Sequence, residues 1–76
     1  MNVLLTSVGR RGYLVGYFKD AVKPHGNVIA ANSETLTSGM IAADKAYPVP
    51  QVDSAGYIPA ILDICHNENV GLVVSL

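Results

Sequence analysis

Short apolar runs alternate with segments whose apolar residues recur at helical spacing, and this alternation constrains the fold more than any other feature of the sequence. The apolar runs predict four strands, near residues 2–6, 27–31, 46–49 and 71–75. Strands that alternate with helices are typical of a parallel sheet with right-handed crossovers. We therefore expect an α/β fold in which helices cover both faces of a four-stranded parallel sheet of order 3-2-1-4.

Two of the helices have clear boundaries in the sequence. Apolar residues at helical spacing run from Leu14 to Val22, and Pro24-His25-Gly26 ends that helix. A later stripe begins after Asp53 or Ser54, either of which can cap a helix. Its apolar residues are Tyr57, Ile58, Ile61, Leu62 and Cys65. Residues 36–43 predict only one or two helical turns, weakened by a glycine.

Composition excludes several classes of partner. The chain has 76 residues, enough for one small domain, and its five basic residues are balanced by six acidic ones. That balance leaves no electrostatic footprint for nucleic acid. No apolar run approaches the roughly 20 residues of a membrane span, and no signal peptide is recognisable. A single cysteine, Cys65, excludes an internal disulfide. We expect a soluble, cytoplasmic protein without nucleic-acid or membrane partners.

The turn between the first strand and the first helix is the best candidate for a binding site. A helix start offers free N–H groups and partial positive charge, and its position after a parallel strand is where ligands bind in such sheets. Guanidinium groups add donors suited to phosphate or carboxylate. The turn therefore predicts an anion site, and a turn glycine with solvating arginines is an equally good explanation of the same residues. The site residues are Ser7, Gly9, Arg10, Arg11 and Gly12.

A dinucleotide site is an alternative interpretation of the same turn. The G-x-G-x-x-G pattern would place glycines at positions 7, 9 and 12, but Ser7 replaces the first. The acidic residue expected after the second strand is also absent, since Asn32 stands there and Glu34 follows two residues later. The two arginines would suit the 2′-phosphate of an NADP-type ligand. In either interpretation, Asn32 and Ser33 are candidates for a second-loop contact.

Several other residues have plain structural interpretations. Gly12 and Gly16 are expected to let the first helix approach the sheet closely. Asp44 and Lys45 are most simply a solvated turn.

The last strand carries no charge, proline or bulge signal that would discourage pairing at a sheet edge. No residue of the chain is predicted to be catalytic or to ligate a metal.

Four blocks of the sequence resemble a known family: MNVLLTSVGRRGYLVGYF, VIAANSE, AADKAYPVP and YIPAILDICHNENVGLVVSL. They resemble the amino-terminal region of ATP-grasp proteins, most closely the carbamoyl-phosphate-synthase large-subunit-like ligases. The most specific parts are residues 6–11 and 42–47. Asn32 departs from the family, where relatives often carry aspartate, and Gly16 stands where a larger residue is usual.

The resemblance implies both a fold and a function. ATP-grasp enzymes use ATP and magnesium to convert a carboxylate to an acylphosphate, which an amine, thiol or other nucleophile attacks. Their pre-ATP-grasp domain is a Rossmann-like half that packs against the ATP-grasp module, and its first loop often helps to hold a substrate. By this resemblance Ser7, Gly9, Arg10 and Arg11 would face the substrate. ATP and magnesium would be bound by later domains of the parent, so this chain itself needs no cofactor.

We therefore expect residues 1–76 to be a truncated pre-ATP-grasp domain that lacks the ATP-grasp module and is inactive alone. Phosphoryl transfer needs a phosphate cradle and bound metal ions, and the chain has neither a Walker-type lysine loop nor a cluster of carboxylates. The expected partners are a small carboxylate or phosphate-bearing substrate, the ATP-grasp module of the parent or of another chain, and a second copy paired through the last strand. A non-catalytic assembly module is the other functional alternative.

Overall fold

The computed structural model describes residues 1–76, which form four strands and three helices in alternation. All strand pairs are parallel and the spatial order is β3-β2-β1-β4, so the α/β fold and the strand order predicted from the sequence are confirmed. None of the three helices combines the length and the hydropathy that a membrane span requires. The elements in chain order are β1 (Asn2–Thr6), α1 (Gly12–Val22), β2 (Val28–Asn32), α2 (Ser38–Ala42), β3 (Lys45–Pro48), α3 (Tyr57–Asn67) and β4 (Val70–Ser75).

The core lies on both faces of the two central strands, β1 and β2. Strands covered on both faces are continuous apolar runs, which explains why these two were the plainest in the sequence. One cluster joins α1 and α2 to the sheet, and a second cluster joins α3 to its other face. The first contains Val3, Leu5, Val8, Val15, Val28, Ala30 and Met40. The second contains Leu4, Ile29, Ala31, Val49, Ile61 and Ile64.

The inner face of α3 differs from the stripe predicted for it. Ile61 and Ile64 are buried, whereas Ile58 and Leu62 are 61% and 62% exposed. The prediction was wrong for these two because both faces of this helix carry large apolar residues, so spacing alone does not identify the buried one. Ile58 and Leu62 remain as an apolar pair on the outer surface.

The start of α3 is also different from the expectation. The helix begins after Gly56, which has no side-chain cap, and neither Asp53 nor Ser54 occupies the cap position. The Ser54 hydroxyl instead accepts a hydrogen bond from the Gly56 N–H at 3.2 Å. The segment before the helix is therefore a short turn, and the Asp53 carboxylate is not used in capping.

The two glycines of α1 do not bring this helix onto the sheet. A Cβ atom at Gly12 would lie 3.0 Å from the carbonyl oxygen of Ser38, so the close neighbour is α2. A Cβ atom at Gly16 would meet nothing within 4 Å. The predicted role in helix–sheet packing is therefore wrong for both residues.

β4 begins with an irregularity that the sequence did not signal. Asn2 pairs with Val70 but Val3 pairs with Leu72, so Gly71 is an extra residue on β4. Such a bulge increases local twist and weakens an edge as a pairing template. The strand predicted near residues 71–75 is present, and from Leu72 to Ser75 its pairing with β1 is regular, so the irregularity lies just before the segment that carried no bulge signal.

Candidate binding cleft

The loop after β1 turns sharply through two residues in the left-handed region. Ser7 has φ 55° and Gly9 has φ 48°. Glycine adopts this conformation without cost, but a residue with a Cβ atom rarely does. Ser7 therefore takes the backbone conformation that a glycine would take at the first position of a dinucleotide loop. Its hydroxyl-bearing side chain is exposed at the carboxyl end of the sheet.

The backbone of this loop is held from behind by α2. The Gly39 N–H donates to the carbonyl of Gly9 at 3.0 Å, and the Gly12 N–H donates to the Ser38 hydroxyl at 3.3 Å. A Cβ atom at Gly39 would lie 2.7 Å from the Val8 side chain and 2.8 Å from the Gly9 carbonyl oxygen. Only glycine allows α2 to pack this closely against the loop.

Asn32, at the end of β2, connects the first loop to the second. Its side-chain oxygen accepts a hydrogen bond from the Gly9 N–H at 3.3 Å, and its amide nitrogen donates to the Glu34 carbonyl at 3.1 Å. Asn32 fixes the position of both loops through these two bonds. Two of the backbone amides expected to face an anion therefore already have partners within the chain: the Gly9 N–H bonds to Asn32, and the Gly12 N–H bonds to Ser38.

A cleft of about 290 Å³ opens at the carboxyl ends of β1, β2 and β3. The loops after these three strands meet there because the strands are parallel and end at the same edge of the sheet. Its apolar wall comes from the segment after β3 and from the first residue of α3. The lining residues are Ser7, Ala31, Asn32, Ser33, Val49, Pro50, Gln51, Val52, Asp53 and Tyr57.

Polar side chains in the cleft are free to bind a ligand. Five of them make no hydrogen bond to the rest of the chain: Ser7, Ser33, Gln51, Asp53 and Tyr57. Asp53 is the only carboxylate among the lining residues, and no lysine or arginine lines the cleft. The cleft therefore offers hydroxyl and amide groups, one negative charge and an apolar wall.

The two arginines lie outside the cleft. Arg10 and Arg11 are exposed, follow Ser7 closely in the chain, and have no carboxylate within 4.0 Å. Unpaired guanidinium groups retain their full capacity for bidentate contact with an anion. Because the Gly9 and Gly12 amides are already bonded, the two arginine side chains are the charged donors that this loop offers to an anion.

The structure thus divides the predicted site residues between two places. It brings Ser7, Asn32 and Ser33 together in the cleft and joins Gly9 to them through the Asn32 bond. Arg10, Arg11 and Gly12 do not line it. That these residues bind a ligand stays a prediction.

Sequence reasoning missed one side of the cleft, the segment Val49–Asp53 together with Tyr57. These residues match no motif, but the predicted topology contained a signal. Parallel strands end at the same edge, so the loop after the third strand had to join the loops after the first two. No group of three or more His, Cys, Asp and Glu side chains is arranged to hold a metal ion.

The parallel sheet, its strand order and the cleft at the carboxyl ends of the strands define a Rossmann-like half domain. The sequence matches a family model described as "PylC-like, N-terminal domain" over residues 3–76. The chain belongs to this family, whose members form the N-terminal region of ATP-grasp ligases. No curated protein is similar enough to be matched with the chain.

Proposed function

We propose that the chain is the substrate-side domain of a cytoplasmic, ATP-dependent ligase that joins a carboxylate to an amine or a thiol, of the carbamoyl-phosphate-synthase-like kind. The chain alone does not catalyse the reaction. Its membership of an N-terminal ATP-grasp family supports this proposal. The observation that carries it is the cleft, because three loops present unpaired polar side chains at the edge of the sheet where such folds bind ligands.

The residues divide the task of holding a substrate. Arg10 and Arg11 bind its carboxylate or phosphate, since they are the unpaired cations closest in the chain to the cleft residue Ser7. Ser7, Ser33 and Gln51 donate to or accept from its other polar groups, and Tyr57 packs against its apolar part. The loop is held rigidly from behind by α2, so the ordering cost of binding falls mainly on side chains.

ATP and magnesium do not fit the cleft. Phosphates of a nucleotide need lysine, arginine or free amides around them, and magnesium needs carboxylates close to those phosphates. The cleft has no lysine or arginine and a single carboxylate, Asp53, while the Gly9 and Gly12 amides are already bonded. We assign ATP and magnesium to the ATP-grasp module, on the same parent polypeptide or on a partner chain.

One observation favours a second candidate, an NADP-type dinucleotide site. Ser7 stands at the position of the first fingerprint glycine and has a left-handed backbone, which glycine favours, and the two arginines are suited to a 2′-phosphate. Against it, the Gly9 amide is occupied by Asn32, whose own amide nitrogen is directed to Glu34. A pyrophosphate would have to displace these bonds. A non-catalytic assembly module, the third interpretation, binds none of these ligands.

Backbone amide shifts during titration distinguish the three interpretations. Inorganic phosphate, acetate, ATP and NADP are added separately to the ¹⁵N-labelled chain, with sodium chloride at matched ionic strength as the control. Shifts centred on residues 7–11 and 32–33 with phosphate and acetate support the substrate-side domain. Larger, saturable shifts with NADP in the same segments would favour the dinucleotide site over the substrate-side domain. The absence of any localised shift would favour the assembly module.

A pair of matched variants tests the role of the arginines. Arg10→Ala combined with Arg11→Ala is expected to abolish the localised phosphate shifts, because the only unpaired cations of the loop are removed. Lys23→Ala removes another exposed cation without an ion pair, at the end of α1. It is expected to leave the shifts unchanged. Equal losses in both variants would show a diffuse charge effect and contradict the proposal.

A further inference from the structure

Asn32 is bonded to all three loops that meet at the cleft. Its side-chain oxygen accepts from the Gly9 N–H in the first loop, and its amide nitrogen donates to the Glu34 carbonyl in the second. Its backbone carbonyl accepts from the Val49 N–H at 3.1 Å, at the start of the segment that follows β3. Asn32 is half-buried and also lines the cleft. This one residue therefore helps to fix how the three loops meet.

The two side-chain bonds need both the donor and the acceptor of an amide. An asparagine side chain carries an acceptor oxygen and a donor nitrogen, whereas an ionised aspartate only accepts. A carboxylate at position 32 would keep the bond to Gly9 but would face the Glu34 carbonyl without a proton to donate. An alanine would make neither bond. The local geometry thus favours asparagine over an acidic side chain of the same shape.

The Asn32 side chain is also uncharged at the place closest to the arginines. Arg10 directly follows Gly9, whose N–H nitrogen lies 3.3 Å from the Asn32 side-chain oxygen. A carboxylate at position 32 would lie within reach of a guanidinium group and would pair with it. In this chain Arg10 and Arg11 are exposed and have no carboxylate within 4.0 Å. The neutral amide therefore leaves their charge available to a ligand.

Dinucleotide-binding sheets have a residue of the opposite character at this place. There an acidic side chain after the second strand accepts a hydrogen bond from a ribose hydroxyl. In this chain the oxygen at the same place is bonded to Gly9, and the nitrogen is bonded to Glu34. The side chain that would contact a ribose instead connects the backbones of two loops.

We propose that Asn32 is the specificity-determining residue of the cleft, because it orders the three loops and, being uncharged, admits a ligand with a carboxylate or phosphate group. This role rests on the proposed function, in which Arg10 and Arg11 bind that anionic group. Asn32 is a positioning residue, since it acts on the anion through the Gly9 turn and the two guanidinium groups. An aspartate in its place would supply an internal anion that competes with the ligand.

Phosphate titration of variants at the two ends of β2 is the first test. Asn32→Asp is expected to weaken the binding of inorganic phosphate about tenfold, measured by backbone amide shifts at low ionic strength. Asn27→Asp makes the same change just before β2, where Asn27 is exposed and bonded only through its backbone. It is expected to bind phosphate like wild type.

The outcomes of this titration separate the two proposals. Equal phosphate affinities in Asn32→Asp and Asn27→Asp would overturn the role of Asn32 and leave the proposed function intact. The absence of any localised shift in the wild-type chain would overturn both.

Hydrogen exchange without a ligand tests the bonds themselves. Asn32→Ala removes the acceptor of the Gly9 N–H and is expected to speed the exchange of that amide about tenfold. Asn27→Ala is the control and is expected to leave the Gly9 rate unchanged. An equal Gly9 rate in wild type and Asn32→Ala, with unchanged circular dichroism spectra, would overturn the proposal.

The Gly9 rate in Asn32→Asp separates the effect of charge from the effect of structure. This variant retains an acceptor for the Gly9 N–H, so we expect an exchange rate close to that of wild type together with the weaker phosphate binding. A merely structural role would not give that combination. Faster Gly9 exchange in Asn32→Asp would show that the loss of affinity comes from a disordered loop, and it would contradict the proposed effect of charge.

Discussion

The two ends of the sheet differ in how their polar groups are used. The carboxyl end of the sheet is the end where its parallel strands finish, and the amino end is where they begin. At the carboxyl end, five side chains of the cleft and both arginines of the first loop have no partner in the chain. At the amino end, side chains form bonds that cross between distant elements. The difference indicates that the side chains at the amino end help to maintain the register of the fold, whereas those of the cleft do not.

Asn2 is the centre of the amino-terminal network. Its side-chain oxygen accepts from the Asn27 N–H at 2.9 Å, and its amide nitrogen donates to the Glu68 carbonyl at 2.6 Å. The Glu68 carboxylate in turn accepts from Tyr47 and from Lys45. The Asn2 side chain therefore connects β1 to the segments that enter β2 and β4, and the Glu68 side chain adds β3 to the network.

Asp44 performs a similar role on the other face of the sheet. Its carboxylate accepts a hydrogen bond from the Val28 N–H at 2.9 Å and lies 3.6 Å from the Lys19 ammonium. The first of these bonds fixes the start of β2 next to the segment that enters β3. The second joins α1 to the same place.

The largest effect is expected at Gly39, where α2 packs tightly against the first loop at the carboxyl end of the sheet. Gly39→Ala forces a Cβ atom against Val8 and the Gly9 carbonyl, and we expect a loss of about 3 kcal/mol in the free energy of unfolding. Gly16→Ala is the matched control, since it adds a methyl group to open space on a helix. It is expected to stabilise by up to about 1 kcal/mol. Urea denaturation measures both, and equal effects would contradict the packing of α2 on the loop.

The next effect tests the amino end directly. Asn2→Ala removes two hydrogen bonds that join three strand starts, and we expect it to cost about 2 kcal/mol in urea denaturation. Asn67→Ala, at an exposed position without a side-chain hydrogen bond, is the control and is expected to change stability by no more than about 0.5 kcal/mol. If the two variants unfolded alike, the amino end would not hold the register as described.

Stability should also depend on pH through the same network. The hydrogen bond from Tyr47 and that from Lys45 lower the pKa of Glu68 below its usual 4.5. Because the pKa of Glu68 is lowered in the folded state, its ionised carboxylate stabilises the fold. This stabilisation is complete above pH 4.5 and is lost as pH falls through the folded pKa. The hydrogen bond to Glu68 raises the pKa of Tyr47 above 10.0, so its contribution is lost as pH rises through that raised pKa.

Tyr47→Phe is the variant that tests this pH dependence. The free energy of unfolding, measured from pH 3 to 11, is expected to fall less at acid pH than in the wild type. At alkaline pH it is expected to show no loss attributable to residue 47. Tyr57→Phe removes a hydroxyl that has no partner in the chain and should leave the wild-type profile intact. A Tyr47→Phe profile that coincides with wild type at both ends would be incompatible with the Tyr47–Glu68 bond.

The smallest effect is expected among the cleft residues. Asp53→Ala and Gln51→Ala remove side chains that contact no polar group of the chain, so each should alter stability by no more than about 0.5 kcal/mol. Thermal unfolding monitored by circular dichroism is sufficient to measure this. A larger loss in either variant would mean that the cleft side chains also stabilise the fold, and the description of them as unpaired would be wrong.

The parts of the fold that could be predicted from the sequence are those determined by local pattern. β1 and β2 are uninterrupted apolar runs because both faces are buried, and the alternation of elements implied the parallel order. The buried face of α3 was not predictable from spacing, since Ile58 and Leu62 are as apolar as Ile61 and Ile64. The bulge at Gly71 arises from pairing with β1 and leaves no local signal.

Part of the candidate site could also be predicted from local sequence pattern. Ser7, Asn32 and Ser33 directly follow apolar runs, so their place at the edge of the sheet could be inferred. Asp44 and Lys45 were interpreted as a solvated turn. Both are exposed, but they also bond to Val28 and Glu68, which are distant in sequence and could not be identified from local pattern. Such bonds depend on the tertiary fold, and no pattern within a short window indicates them.

The position of β4 beside β1 has a consequence for the rate and order of folding. Val3 pairs with Leu72, so a central strand acquires its second neighbour only when nearly the whole chain has been brought together. Closing so long a loop is entropically expensive, and pairings of this kind slow folding relative to helical proteins of similar size. During synthesis one side of β1 therefore stays without a neighbouring strand until β4 has left the ribosome, and its apolar side chains are open to misassociation for that interval.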